Sequence, residues 1–310
     1  MTRITVSFLG TTASIPTKYR NHAAIYLTYQ SENEHCFLWD CGEGTQRQIF
    51  LAGLNFMRLD HIFITHWHAD HFAGLFGLLE TMSLEKRKKP LYLYGPEASK
   101  FFEVLAELGY SSKGFAVNPI DAPFDSKEKT ILLEDEEYQI VSVPVNHGIP
   151  AVAYAFIEKD RVKIDKKKAA SLGLPKKGPI YKKLKRNGEI IYKGKKILLK
   201  DVSFVERGKK VVYSGDTRPC ASLVSIAKDA DLLIHECTYF DNDFDERNHS
   251  SIEDIVKIAK ETKAKQIVLT HISRRYQSIK ELQKIVEKVA GDELKGKIKI
   301  AKDFMTLKIE

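Results

Sequence analysis

Apolar residues fall along this chain in short runs, rich in β-branched and aromatic side chains, that stop at polar turns. Positions 2–8 alternate polar and apolar, the period of a half-buried strand. Runs at 36–40, 62–64, 91–94, 141–145, 210–214 and 265–269 have strand length and strand composition. Between and after them, stretches 74–84, 98–108, 251–262 and 278–289 read as helices, the first of them opening at Phe72-Ala73-Gly74-Leu75. Strands alternating with helices define an α/β protein. There is no repeat of fixed period and no linker between separable halves. The expected organisation is therefore one domain over 1–310 with an insertion at 159–200.

Length and composition narrow this picture. A chain of 310 residues with 43% apolar content can bury one large core or two modest ones. No apolar run approaches the ~20 residues of a membrane span, and the start lacks the long apolar core of a signal peptide. Cys36, Cys41, Cys220 and Cys237 form no C-x-x-C pair, so reduced thiols and a cytoplasmic setting are expected. The net charge of +8 is unevenly placed. Residues 159–200 hold sixteen Lys or Arg against Asp160, Asp165 and Glu189, a local balance of +13, which leaves the remainder mildly acidic. Gly173, Pro175, Gly178 and Pro179 surround Lys176, Lys177, Lys182 and Lys183, with Lys185 and Arg186 following, and point to a protruding arm rather than a packed helix. A polyanion-binding arm fits this segment, and so does a solvated lysine-rich insertion of the kind found in thermophiles.

The chemistry concentrates in Thr65-His66-Trp67-His68-Ala69-Asp70-His71, three imidazoles and a carboxylate between a strand and a helix. Imidazole suits zinc, copper, iron and nickel, and a carboxylate can ligate a metal or deprotonate its water. Three further strands each end in one such residue: His147 after 141–145, Asp216 after 210–214 and His271 after 265–269. A metal centre along one edge of the sheets is expected.

These motifs resemble the metallo-β-lactamase superfamily, which implies an α/β fold of αββα type with a di-zinc site along one edge. The resemblance implies that His66, His68 and His147 hold one zinc and that Asp70, His71 and His271 hold the other. Asp216 would bridge them, with Asp40 steadying the histidines from behind. Within the superfamily the chain resembles the RNase Z family, whose members remove 3′ trailers from precursor tRNA. The resemblance rests on Phe8-Leu9-Gly10-Thr11, Pro16-Thr17-Lys18-Tyr19-Arg20-Asn21, Asp40-Cys41-Gly42-Glu43-Gly44-Thr45-Gln46, Ser214-Gly215-Asp216-Thr217-Arg218, His235-Glu236-Cys237-Thr238 and Thr270-His271-Ile272-Ser273-Arg274-Arg275-Tyr276. It covers nearly the whole chain. The family pattern has His-Ser-Thr and His-Glu-Ala-Thr where this chain has His249-Ser250-Ser251 and His235-Glu236-Cys237-Thr238, changes that spare the ionisable residues. The resemblance further implies that the basic insertion is a tRNA-gripping arm and that the protein is a homodimer whose arm serves the opposite subunit.

Phosphodiester hydrolysis needs an activated water, neutralised phosphoryl oxygens and a proton for the leaving alkoxide. Asp70 is expected to act as the base. His249 is expected to be the general acid, kept charged by Glu236, although its place before Ser250 and Ser251 also suits a helix cap. Lys18, Arg20 and Arg275 are candidates for phosphate contacts or for surface ion pairs, and 43–47 for a loop at the RNA end or a plain turn. Manganese or iron would suit the same ligands. The main rival is a di-zinc hydrolase of another class, a glyoxalase II-like thioesterase or a small-molecule phosphodiesterase. A nuclease with an added recognition domain and a non-catalytic RNA-binding module are the others.

Overall fold

The computed structural model describes residues 2–108, 114–126, 128–241 and 248–309. The chain divides into two compact units, Met1–Asp135 with Gln139–Phe156 and Lys210–Glu310, and Glu136–Tyr138 with Ile157–Lys209.

The larger unit is built on two seven-stranded mixed sheets. In the first, Thr306–Ile309, Arg3–Gly10, Ala24–Gln30, Glu34–Trp39, Leu59–Phe63, Leu91–Gly95 and Val117–Asp121 lie side by side in that order. In the second the order is Ile298–Ile300, Ile267–Thr270, Leu232–Glu236, Lys210–Tyr213, Val152–Glu158, Tyr138–Pro144 and Thr130–Glu134. The period of two assigns each strand two apolar faces. Phe37, Trp39 and Phe63 face the second sheet, where Trp39 stacks on Tyr213 at 6.0 Å and Phe37 and Phe63 meet Phe156 and Tyr154 at 5.8 and 5.3 Å. The alternate residues Cys36, Leu38, Ile62 and Ile64 pack instead with Ile49, Leu75, Leu78, Met82 and Leu105 of the helices Thr45–Leu51, Leu75–Leu84 and Ala98–Glu107.

The second sheet is interleaved with Ala221–Ala227, Ile252–Thr262 and Ile279–Ala290. The last two helices start one residue later than the sequence suggested. Ser251 and Ser278 are caps whose hydroxyls accept from Asp254 N and Glu281 N. Among the described residues no helix is long and apolar enough to cross a membrane.

The smaller unit corrects one expectation. Around the paired strands Arg161–Ile164 with Ser203–Glu206 and Glu189–Tyr192 with Lys195–Leu198 lie two helices, Lys166–Ser171 and Ile180–Asn187. Ala169, Leu174, Leu184, Ile190, Ile197 and Val202 are buried together as a small core. The segment read as unpacked is thus partly a packed helix. Pro179 opens it and Gly188, at φ 74°, closes it, so these residues punctuate the helix rather than prevent it.

Candidate active site

Parallel strands carry their carboxyl ends to the same edge of a sheet, the usual place for a site in such folds. Glu34–Trp39 and Leu59–Phe63 run parallel, as do Lys210–Tyr213, Leu232–Glu236 and Ile267–Thr270. Asp40, His66, Asp216, Glu236 and His271 lie at or just past these ends, and His147 follows Tyr138–Pro144. Asp70 and His71 sit on a single helical turn, Ala69–Phe72, which begins before the Phe72 start expected from sequence. The chain leaves two of these strands in the left-handed region, at Asp40 (φ 56°) and His271 (φ 55°), a local cost typical of functional positions. Gly215, at φ 58°, precedes Asp216, and a Cβ there would come within 2.7 Å of Thr65 Cβ.

The side chains converge. Nδ1 of His68 lies 3.0 Å from His66 Nε2 and 3.1 Å from His147 Nε2. Oδ2 of Asp216 lies 3.7 Å from His66 Nε2, 3.3 Å from His71 Nε2 and 3.2 Å from His271 Nε2. Oδ2 of Asp70 lies 3.3 Å from His271 Nε2 and 3.7 Å from His71 Nε2. Among the described residues four overlapping donor groups result: His66–His68–His147, Asp70–His71–His271, His66–His71–Asp216 and Asp216–His249–His271.

Partners behind the rings fix which nitrogen faces inward. His71 donates from Nδ1 to Asp40 Oδ2 at 2.7 Å, leaving Nε2 toward the site. Asp40 is fully buried and also accepts from Tyr213 OH at 2.7 Å and Thr65 N at 2.8 Å. Nδ1 of His66 lies 3.1 Å from Thr65 Oγ1, and Nδ1 of His147 donates to Asn248 O at 3.0 Å. The Thr238 hydroxyl donates to Glu236 at 2.9 Å, so it accepts from His271 Nδ1 at 3.0 Å. Thr65, Tyr213 and Thr238 were not singled out from sequence, although two of them stand inside the quoted motifs.

The donor set fits divalent metal ions. Nε2 of His71 and Oδ1 of Asp216 are buried with no hydrogen-bond partner, costly for groups of this kind unless a cation satisfies them. Burial opposes charge on His71, yet Asp216 and Asp40 outweigh it and hold its pKa well above the ordinary value. Burial likewise opposes charge on Asp70, but the hydrogen bond with His271 and the charge of His71 pull its pKa down. Burial lowers the pKa of His66, His68 and His147, which favours neutral rings free to ligate, and nitrogen with carboxylate oxygen suits zinc, manganese or iron.

His249, grouped with Asp216 and His271, has its Nδ1 3.1 Å from Glu236 Oε1 and 3.8 Å from Asp216 Oδ2. Burial works against its charge, but Glu236 overrides this and raises its pKa to about 9. His249 does not cap the following helix, because Ser251 and Asp254 form that capping box between themselves. His235, next to Glu236 on its strand, is buried with Nδ1 2.6 Å from the Glu236 carbonyl oxygen.

The proposed phosphate contacts fare unevenly. Lys18 and Arg275 are exposed, Arg275 lying 5.8 Å over the rings of Tyr239 and Tyr276. Arg20 is a correction. It is buried, and its Nη1 donates to Thr11 Oγ1 at 2.6 Å and Ala301 O at 2.9 Å, so it braces the fold rather than facing an RNA. Gly42 and Gly44 have packing and turn reasons: a Cβ on Gly42 would lie 2.2 Å from Asp70 O, and Gly44 has φ 79°. In the smaller unit Lys176, Lys177, Lys182, Lys183, Lys185 and Arg186 are all exposed. Lys168, Lys193, Lys195 and Lys196 line a separate cleft with Tyr192, a grouping the charge count alone could not show.

Comparison with known proteins agrees with this architecture. Residues 4–148 match the family model described as anti-Pycsar protein Apyc1, and residues 201–272 match the beta-lactamase superfamily domain. The chain is 38% identical to Ribonuclease Z of Archaeoglobus fulgidus, over 98% of this chain and 97% of that one. It is 42% identical to Ribonuclease Z of Thermococcus gammatolerans, over 87% and 84%. Among solved structures, human tRNase Z, short form, superposes with a TM-score of 0.69 at 29% identity, over 99% of both chains. With near-complete coverage at this level of identity, and a metallo-β-lactamase fold to carry it, the chain belongs to the Ribonuclease Z family.

Proposed function

We propose that this chain is a zinc-dependent endoribonuclease that removes the 3′ trailer from precursor tRNA. The products are a 3′-hydroxyl on the tRNA and a 5′-phosphate on the trailer. His66, His68 and His147 would hold one zinc, Asp70, His71 and His271 the other, and Asp216 would contact both. When bound, the ions activate water and neutralise charge on the phosphoryl oxygens.

The observation that carries the reading is the His249–Glu236 pair beside the donor sets. A ribose 3′ alkoxide is a poor leaving group and needs a proton as the bond to phosphorus breaks. A thiolate leaves without one, so a thioesterase has no use for a charged imidazole here. Asp70 orients the attacking water and takes its proton. His249 gives its proton to the 3′ oxygen, and Glu236 balances the imidazolium until then. The surface lysines of the smaller unit supply contacts to the tRNA backbone. The reading includes a homodimer, in a cytoplasmic setting, in which that unit holds the tRNA cut by the other subunit.

Cleavage of a precursor tRNA labelled at either end, with both new termini mapped, tests this directly. One cut at the trailer junction with the stated termini is expected. Turnover of a glutathione thioester in place of the RNA would reject it.

A further inference from the structure

Besides His235, a second buried imidazole outside the metal-type ligands and the acid pair lies within two hydrogen bonds of the catalytic edge. His22 is 9% exposed, and its Nε2 lies 3.1 Å from Ser14 O. A carbonyl oxygen only accepts, so Nε2 carries the proton and donates. Ser14 N in turn donates to Asp70 Oδ2 at 2.8 Å. We propose that His22 is a positioning residue for Asp70, acting through the backbone of Ser14. The inference rests on Asp70 being a working member of the site.

Ser14 needs such support. Its φ is 50°, unfavourable for a residue with a Cβ, and Ile15 N closes a three-residue turn over it onto Ala13 O at 2.5 Å. Left alone, so tight a turn would relax and carry its N–H away from Asp70. The neighbouring backbone is tied to the other sheet: Ala13 N donates to Ile272 O at 3.0 Å, and Ile272 N donates to Thr11 O at 2.9 Å. These bonds hold 11–13 beside His271, whose Nε2 faces the same Asp70 oxygen, but none reaches Ser14 O. Among the described residues His22 supplies that bond.

Packing fixes the backbone of His22. Its carbonyl oxygen would lie 1.6 Å from a Cβ on Gly10. A Cβ on Gly42 would meet both His22 Cβ, at 2.5 Å, and Asp70 O, at 2.2 Å. Gly42 thus lets the Cβ of His22 and the backbone of Asp70 approach a common point, which fixes where the two side chains set out.

The test uses the full chain as His22→Ala and His22→Gln, the glutamine carrying an amide N–H to roughly the place of Nε2. Two quantities are read: hydrolysis of bis(p-nitrophenyl) phosphate, and the rate at which bound zinc passes to a chelator. His22→Ala should lower kcat about tenfold with KM unchanged and should speed zinc release, and His22→Gln should recover most of both. In an Asp70→Ala background, His22→Ala should add nothing to the rate of zinc release. Unchanged kcat in His22→Ala, equal impairment in His22→Gln, or a further acceleration in the Asp70→Ala background would each overturn the proposal. If His22→Ala does not fold, His22→Asn, too short to reach Ser14, makes the same comparison against glutamine. Because neither readout uses RNA, a failure here is distinguishable from a failure of the tRNA assignment.

Discussion

Nδ1 of His249 faces Oε1 of Glu236 across 3.1 Å, and that buried carboxylate has no freedom to turn away. Its oxygens also accept from Thr217 N, Ser250 N, Thr238 N and the Thr238 hydroxyl. A carboxylate gripped by four other donors is a fixed negative charge, and it sets the protonation state of the ring beside it.

In chelator-treated protein, NMR titration of His249 should give a pKa of about 9, and Glu236→Gln should lower it. The folded value lies above the ordinary histidine value of ~6.5. The pair therefore contributes stability that is fully present below that pH and is lost as the pH rises through about 9. Urea midpoints taken across this window should fall in the wild type and fall less in Glu236→Gln.

His249→Ala should slow cleavage of precursor tRNA by roughly 10²–10⁴-fold and spare bis(p-nitrophenyl) phosphate, whose leaving group needs no proton. Asp70→Ala should abolish both. Equal losses on the two substrates in His249→Ala would remove it from the acid role.

Elemental analysis of purified protein should find about two zinc ions per chain. His66→Ala or Asp216→Ala should lose metal and activity together. Zinc uptake by the stripped protein in weak buffer should release protons, because His71 holds one against burial. Full activity with one equivalent or none would end the di-zinc assignment.

Removing 160–207 should be tolerated, because the flanks already meet: Glu158 N donates to Lys209 O at 2.8 Å. With a short Gly-Ser bridge, hydrolysis of small diesters should persist and precursor tRNA affinity should fall by orders of magnitude. For every phosphate that the shortened chain no longer neutralises, the salt dependence of binding should flatten by roughly 0.9 on a log–log plot. Unchanged affinity and slope would place recognition elsewhere.

Arg20→Ala should act on folding instead of RNA affinity, costing on the order of 3 kcal/mol in denaturant titrations. Lys18→Ala, at an exposed position, should leave stability unchanged.

Why sequence served some of these residues and not others is physical. The donors stand where apolar runs stop, and a strand must stop at the sheet edge, so His66, Asp216 and His271 were visible as punctuation. Arg20 looked like any basic loop residue, because its partner Ala301 lies at the far end of the chain. The helix Ile180–Asn187 was hidden because its inward residues, Ile180, Tyr181 and Leu184, serve a core whose other members are scattered among lysines. The left-handed turns at Asp40 and His271 left no sign, since neither position is glycine.

The first strand, Arg3–Gly10, is flanked by Ala24–Gln30 and by Thr306–Ile309, with Ile4 opposite Ile309. One neighbour is synthesised soon after it and the other only after the rest of both sheets. The donors follow the same schedule, His66 early and His271 late. A ribosome-bound chain can therefore assemble much of the first sheet while its cutting edge is still incomplete. The edge is complete only once His271 has been made. Nascent chains stalled before His271 has emerged should accordingly hold no chelator-resistant zinc.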